Sequence, residues 1–229
     1  MIPVWIPGAI ALLGGAIYYS PHAWRLARVR ALRKQVIQDR TLVLTYDDGP
    51  SDCTTPAILE LLRSHGAKAT FFMLGRNAER NAGIAHRIIE EGHDAGCHSE
   101  QHLNAWKVAP WSAVADLNAG YSKLSSWVAP NGIFRPPYGK MTAPTYWSIR
   151  RRGAPVGWWT IDSGDTHSPL PQPKRVVDRL QREGGGIVLM HDLDRSEDRN
   201  CFVLETTALL LKAAEREAFK IKRLSELCP

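Results

Sequence analysis

Residues 41–50 read TLVLTYDDGP, an apolar, β-rich run that ends directly in Asp47 and Asp48, and this stretch decides the fold. Comparable β-rich runs lie near residues 69–73, 94–98, 132–135, 155–160, 187–191 and 219–223. Helical patterns lie between them, near residues 55–65, 77–91, 111–127, 143–152, 173–183 and 202–217. Strands that alternate with helices predict an α/β fold with a parallel sheet of about seven strands and right-handed crossovers. Periodicity leaves open whether that sheet is open or closed into a barrel.

Polar side chains stand where several of these predicted strands end. They are Asp47, Asp48, His98, Arg135, Asp162 and His191. Parallel α/β folds assemble their sites at the carboxyl ends of strands. We therefore predict that these side chains come together in one site.

Within this set, Asp48, His98 and His102 have the chemistry of a metal site. Asp47 and Asp48 repel each other unless a cation compensates, although Asp-Gly after a strand also fits a simple turn. His98 and His102 lie four residues apart, so one turn or a tight loop presents both nitrogens to the same point. Two nitrogens and one carboxylate oxygen leave zinc a free coordination position for water.

The remaining strand-end residues suggest acid–base chemistry. Arg135 precedes two prolines, and such a rigid backbone suits presenting the Tyr138 N–H to a developing oxyanion. Arg135 is also expected to pair with Asp47, although a rigid turn with a surface arginine is the simpler alternative. His191 ends an apolar run, and we predict that Asp162 stabilises its imidazolium so that it acts as a general acid.

Five segments, in order, resemble the NodB-type polysaccharide deacetylases of carbohydrate esterase family 4, and the resemblance covers roughly residues 41–225. They are Thr45–Gly49, His98–His102, Arg135–Gly139, Trp159–Asp165 and Leu189–Asp192. The resemblance implies a distorted (β/α) barrel with fewer than eight strands. It also implies the metal-dependent removal of N- or O-acyl groups from sugars.

The resemblance assigns roles residue by residue. It implies that Asp48, His98 and His102 bind Zn²⁺ or another divalent ion such as Co²⁺ or Mn²⁺. It implies that Asp47 is the base and His191 the acid. Arg135 would orient Asp47, Asp162 would tune His191, and the Tyr138 N–H would bind the oxyanion. Leu189, Trp159 and Pro136 would bind the substrate. Family members often carry Trp directly after the second Asp of the fourth motif, but here Thr166 follows Asp165, which leaves the acyl group open.

The first 20 residues carry no charged side chain, and residues 2–19 are apolar or small throughout. This run is close to the shortest helix that spans a bilayer, so we predict a membrane anchor over residues 1–20. A cleaved signal peptide fits less well, because no basic residue precedes the run. A buried or interfacial helix is the remaining alternative. The basic residues follow the run, which predicts a cytoplasmic catalytic domain.

Residues 21–40 hold six of the 29 basic residues and one of the 23 acidic ones, so the rest of the chain is nearly neutral. A basic surface for nucleic acid is therefore not expected. Apolar residues recur here at helical spacing, namely Trp24, Leu26, Val29, Leu32 and Val36. This spacing predicts a basic amphipathic helix next to the membrane that lies on the surface of anionic lipid. The alternative is a solvated helix that only connects two parts of the chain. The deacetylase-like domain is then residues 41–229.

These observations predict a metal-dependent hydrolase that removes an N-acyl group from an amino sugar. The expected acyl group is acetyl. A cytoplasmic membrane face favours a lipid-linked saccharide or glycolipid as the substrate. One alternative is an extracytoplasmic deacetylase of peptidoglycan or a chitin-like polymer. Another is a catalytically silent, sugar-binding membrane scaffold. No protein partner is predicted, and the four cysteines form no disulfide framework.

Overall fold

The computed structural model describes the backbone of residues 5–228, the surroundings of Gly14 and Gly15, and the side chains of residues 18–228. Within these residues the helices are α1 (Trp5–Gln38), α2 (Thr54–Ser64), α3 (Gly75–Arg80), α4 (Ala82–Glu90), α5 (Pro110–Lys123), α6 (Ala143–Arg152), α7 (Lys174–Glu183) and α8 (Glu197–Glu217). The strands are β1 (Thr41–Asp47), β2 (Thr70–Met73), β3 (Asp94–Cys97), β4 (Ile161–Asp162), β5 (Gly186–His191) and β6 (Lys220–Ile221). Short 3₁₀ turns cover Pro137–Gly139 and Leu224–Leu227.

All strand pairs are parallel, in the order β3-β2-β1-β5-β4, and β6 pairs with the start of β1. Every residue of β1 is buried. A strand that is covered on both faces typically has a nearly continuous apolar sequence. The run TLVLTY of β1 fits this pattern. The predicted α/β class with a parallel sheet is confirmed.

Backbone pairing closes the sheet into a ring. Phe134 forms parallel bridges with Cys97 at the end of β3 and with Val156. The segment that begins at Val156 reaches β5 a few residues later, where the Thr160 N–H donates to the Ile187 carbonyl and β4 pairs with β5. The ring is a distorted barrel, because the pairings of Phe134 with Cys97 and with Val156 are single-residue bridges and not full strand pairs.

Several predicted element bounds are wrong. The strand predicted at 132–135 is only the bridge at Phe134, so the described residues form six strands and not seven, and the helix predicted at 111–127 is Pro110–Lys123. The strand predicted at 155–160 is a bridge at Val156 followed by β4 at 161–162; Gly157 lies between them, where an added Cβ would be 2.5 Å from the Phe72 ring. The helix predicted at 77–91 is two helices, α3 and α4, separated at Asn81, whose amide donates to the Pro50 carbonyl. Helix α8 begins earlier than predicted, with Glu197 and Asp198 in its first turn, where carboxylates favour a helix N-terminus.

Helix α1 packs on the barrel through its second half. Leu32 and Val36 are buried in the core, and Trp24 and Val29 are partly buried against it. The apolar residues predicted to contact lipid therefore contact protein, apart from Leu26, which is 50% exposed. None of the helices in the described part of the chain combines the length and the apolar character needed to cross a membrane. Most residues of the anchor predicted at residues 1–20 lie outside the part of the chain whose side chains the structure describes.

Candidate active site

Strand register brings the first pair of site residues together. Thr45 is in register with Leu189, and Asp47 is in register with His191. Side chains in register on neighbouring strands lie on the same face of a sheet. Asp47 and His191 therefore stand side by side at the carboxyl end of the barrel, as predicted from the strand-end pattern.

Arg135 holds Asp47 from inside the barrel. Its guanidinium donates to Asp47 Oδ1 (2.7 Å) and to the Thr45 hydroxyl (2.8 Å), and its Nε donates to the Gly157 carbonyl (3.2 Å). The Arg135 side chain is fully buried and its guanidinium carbon lies 4.0 Å from the Phe72 ring centre. The predicted Asp47–Arg135 pair is confirmed, and the alternative of a surface arginine is excluded.

Asp48, His98 and His102 form a group that fits a metal ion. One ligand atom from each lies within 4.8 Å of the others. Asp48 Oδ1 is 3.5 Å from His98 Nε2 and 3.3 Å from His102 Nε2, and it is buried without a hydrogen-bond partner. His98 Nδ1 donates to the Arg135 carbonyl (2.7 Å), which leaves the lone pair on Nε2. A metal ion would satisfy the otherwise unpartnered oxygen, so the residues fit the predicted group.

The charge states also suit metal binding. Burial, reinforced by the neighbouring His98, lowers the pKa of His102 to about 4, so its imidazole is neutral at neutral pH. Burial opposes ionisation of Asp48, but the imidazoles of His98 and His102 and the Arg195 guanidinium outweigh it and lower the pKa of the carboxyl. Metal ligands are needed in these forms, neutral imidazole and ionised carboxylate.

Unusual backbone conformations cluster at the site. Among the described non-glycine residues, six have positive φ, and four of these lie in the site segments: Asp48 (76°), Ser99 (71°), His102 (61°) and Tyr138 (56°). A side chain in this left-handed region costs roughly 1–2 kcal/mol. Such a conformation persists only where the surroundings hold it, and it is typical of functional sites.

Helix α5 holds the loop that carries His102. The Asp116 carboxylate accepts the N–H groups of Gln101 (2.7 Å) and Leu103 (3.1 Å), which flank His102. The N–H of His102 itself donates to the Ser99 hydroxyl (3.1 Å). One turn further along α5, Gly120 packs on the loop so closely that a Cβ would be 2.5 Å from the Ser99 backbone. Sequence reasoning missed Asp116, because nothing in the spacing of α5 shows that its carboxylate reaches the loop of His102.

The prediction that Asp162 holds His191 is wrong. His191 Nδ1 contacts Asp165 Oδ1 (2.9 Å), and the His191 N–H donates to Asp165 Oδ2 (2.8 Å). The Asp162 carboxylate is exposed and accepts the Gly164 N–H (2.9 Å), so it shapes the turn that places Asp165 under the histidine. Burial disfavours the charged imidazole, but Asp165 and the other carboxylates outweigh it and raise the pKa of His191 to about 9.

Two further charged residues, Arg195 and Asp192, support the aspartates. No sequence signal indicated Arg195, whereas Asp192 lies in the segment Leu189–Asp192 and was given no role there. Arg195 donates to Asp48 Oδ2 (3.2 Å), which leaves Oδ1 directed at the histidines. Asp192 is buried and accepts the Gly49 N–H (3.0 Å) and the Thr55 hydroxyl (2.7 Å). It therefore fixes the turn that follows Asp48. Burial raises the pKa of Asp192 to about 7.

The residues predicted to handle the acyl group lie around this centre. The Tyr138 ring centre is 4.4 Å from that of His102, and the Tyr138 N–H has no acceptor among the described residues. Leu189 is buried but lies outside the main hydrophobic cluster, and Trp159 is half-buried, 5.5 Å from the Arg135 guanidinium carbon. Pro136 is buried and its carbonyl accepts the Gly139 N–H. Their roles toward substrate stay predictions.

The barrel and its site define a class of protein: a hydrolase built on a parallel-stranded α/β barrel, in which two histidines and an aspartate that fit a metal ion lie beside an arginine-held carboxylate. The family model for polysaccharide deacetylase matches residues 34–157. The chain belongs to the polysaccharide deacetylase family and is a carbohydrate N-deacetylase by class.

Similar proteins include two bacterial enzymes and a crystal structure. The peptidoglycan-N-acetylglucosamine deacetylase of Bacillus cereus is 28% identical over 82% of this chain and 88% of its own length. The enzyme PgdA of Listeria monocytogenes, with the same activity in its name, is 30% identical over 98% of this chain but only 48% of its own length. The chain thus spans about half of the Listeria protein. The crystal structure of the Bc1960 peptidoglycan N-acetylglucosamine deacetylase superposes with a TM-score of 0.73 at 26% identity, covering 82% of this chain and 87% of that one.

Proposed function

We propose that this protein is a metal-dependent deacetylase that hydrolyses the acetamido group of N-acetylglucosamine units in a saccharide. The observation that carries the proposal is the arrangement around Asp48. The arginine-held Asp47 and the Asp165-held His191, which are in register on neighbouring strands, both stand beside the metal-binding group. The names of the similar proteins support N-acetylglucosamine as the sugar.

Asp48, His98 and His102 would hold the metal, for which we propose Zn²⁺. This donor set, with an open position, is typical of catalytic zinc. When bound, the ion supplies a Lewis acid that polarises the amide carbonyl and acidifies water. Arg195 and the Arg135 carbonyl orient two of the three ligands from behind.

The protein's own groups move the protons. The Asp47 carboxylate, oriented by Arg135, accepts a proton from the attacking water. The Tyr138 N–H has no acceptor within the described residues and is free to donate to the oxygen that becomes negative. His191 is protonated at neutral pH because of Asp165, and it gives its proton to the departing nitrogen. The C–N bond breaks, and acetate and a free amine result.

Acetate release tests this proposal. The purified full chain, supplied with Zn²⁺, Co²⁺ or Mn²⁺, should release acetate from N-acetylated chitooligosaccharides or from peptidoglycan fragments. Asp47→Asn should lower kcat by about 10²–10⁴-fold without loss of bound metal, because it removes only the base. A folded, metal-loaded protein that releases no acetate from any of these saccharides contradicts the proposal. That result, combined with measurable sugar binding, would favour the silent scaffold.

We also propose that residues 1–20 place the domain at a membrane, with the catalytic domain on the cytoplasmic side and a lipid-linked saccharide as the substrate. The support is the order of an uncharged segment followed by a basic one. Fusions of alkaline phosphatase and of a fluorescent protein to the C-terminus test the sidedness. Strong phosphatase activity would overturn the cytoplasmic assignment and favour an extracytoplasmic polymer.

A further inference from the structure

One side of the site mouth is formed by helix α1. The ring centres of Tyr19 and His22 lie 5.3 and 5.6 Å from that of Trp106, which is in the loop after His102. The Arg25 guanidinium carbon lies 5.0 Å from the Trp159 ring centre. A Cβ added to Gly139, the residue after Tyr138, would be 3.4 Å from the same guanidinium carbon. Arg25 therefore reaches the edge of the site within one residue of Tyr138.

The basic groups on this side have no acidic partners. Arg25 makes no ion pair with any described residue, and its Nε is buried without an acceptor. Lys140 Nζ lies 4.1 Å from the Trp106 ring centre and likewise has no carboxylate partner in the part of the chain that the structure describes. His22 Nδ1 is buried and unpartnered. We call Tyr19, His22, Arg25, Trp106 and Lys140 the α1 rim.

Two other arginines of the site, one of them buried inside the barrel, differ from the α1 rim in this respect. Arg135 is paired with Asp47, and Arg195 is paired with Asp48. Their charge is already compensated by the protein. A half-buried guanidinium that lacks a carboxylate can give a charge-assisted hydrogen bond to an incoming anion, and such bonds are about twice as strong as neutral ones.

The aromatic groups beside these cations are accessible. Tyr19 is 44% exposed on the α1 side, and Tyr138 is 57% exposed between the α1 rim and the metal-binding group. Flat aromatic faces bury the apolar faces of ligands, while a nearby cation selects the charge. The combination suits a sugar that carries a negative group a short distance from the acetamido group under attack.

We propose that the α1 rim is a substrate subsite for an anionic group, a carboxylate or a phosphate, on the saccharide that the enzyme deacetylates. The proposal rests on the proposed function and adds the charge class of the substrate. Arg25 lies before residue 34, where the match to the family model begins. The subsite therefore combines α1 residues that precede the matched range with Trp106 and Lys140 from within it.

Three probes built on one oligosaccharide test the subsite: chitopentaose, chitopentaose oxidised to its terminal carboxylate, and chitopentaose 1-phosphate. With the metal-loaded full chain, Arg25→Gln should lower kcat/KM for an anionic probe about tenfold, mainly through KM, and leave the neutral probe within about twofold. Lys140→Gln should act in the same direction. A preference for the phosphate over the carboxylate probe would assign the anion to a phosphorylated saccharide, and the reverse would assign it to an acidic glycan.

Arg28→Gln is the matched control, because Arg28 is an exposed arginine about one turn further along the same helix. It should leave all three substrates unchanged. The subsite is overturned if Arg25→Gln and Lys140→Gln, shown to be folded by their thermal unfolding, leave the anionic-to-neutral ratio of kcat/KM as in the wild type. In that case Arg25 only attaches α1 through its aromatic neighbours. Failure of the wild type on every probe would instead contradict the proposed function.

Discussion

Asp165 is the residue that makes His191 an acid. Its carboxylate receives both Nδ1–H and the backbone N–H of His191, and it counteracts the burial that would otherwise keep the imidazole neutral. Because the pKa of His191 is raised to about 9, the acid form is present below that pH and is lost above it. Asp165→Asn removes the compensating charge, so the pKa of His191 should fall. The alkaline limb of the kcat/KM profile should move to lower pH, and activity at pH 8 should fall about 10–100-fold.

Asp162→Asn is the control for this prediction. The exposed Asp162 accepts only the Gly164 N–H of its own turn, and an asparagine carbonyl can accept the same bond. The alkaline limb should therefore stay in place. If instead Asp162→Asn moves the limb and Asp165→Asn does not, the assignment based on sequence was right and the structural one is wrong.

Arg195 acts on the metal-binding group through Asp48. Its bond to Oδ2 fixes the carboxylate so that the buried Oδ1 points to His98 and His102. Loss of a group that orients a metal ligand typically lowers metal affinity 10–100-fold. We expect Arg195→Gln to weaken Zn²⁺ binding by about tenfold in a competition titration with a chromophoric chelator. Arg63→Gln, which removes only an exposed pair with Glu60 on α2, should leave the affinity unchanged.

At the scale of elements, α5 determines the position of a loop whose backbone would not adopt its conformation alone. Asp116→Ala leaves the N–H groups of Gln101 and Leu103 without their acceptor, at a cost of about 1–3 kcal/mol. We expect a lower melting temperature and weaker Zn²⁺ binding together, because His102 lies between those two N–H groups. Asp116→Asn retains one acceptor and should restore part of both.

Asn118→Ala on the same helix is the matched control. Its side chain accepts an exposed bond from Arg152, so its removal should change stability by about 0.5 kcal/mol or less. Metal affinity should be unaffected. A loss of stability in Asp116→Ala with unchanged metal affinity would show that α5 supports the barrel and not the metal loop.

The sequence predicts elements well where one physical signal dominates. The buried run of β1 and the polar residues after it located the site, because the carboxyl ends of parallel strands converge. The sequence predicts site residues poorly where contacts between distant segments determine which side chain reaches the site. Asp162 and Asp165 both follow the same segment, and only the turn around Gly164 determines which of them reaches His191. Asp116 and Arg195 reach the site from separate helical and loop segments, and a spacing rule does not detect such contacts.

For the whole molecule, the second half of α1 is part of the fold. Leu32 and Val36 are buried in the barrel's core cluster, and Gly185 before β5 leaves room for the backbone of Val36, which would lie 2.2 Å from an added Cβ. Full burial of such side chains is worth about 1.5–3 kcal/mol each, against a total of roughly 5–15 kcal/mol for a domain. The boundary between the first forty residues and the domain therefore lies within α1.

Two deletions and two point variants locate this boundary. Deletion of residues 2–39 should lower the melting temperature by roughly 10 °C or more, because it exposes the core that α1 covers. Deletion of residues 2–20 keeps Trp24, Leu32 and Val36 and should change it by only a few degrees, with acetate release from a neutral oligosaccharide retained. In the full chain, Val36→Asp should reproduce the large loss, whereas Leu26→Asp, at a position that is half exposed, should not. Equal stability of the two deletions would show that α1 is only an appendage and that the domain begins at β1, as the sequence alone predicts.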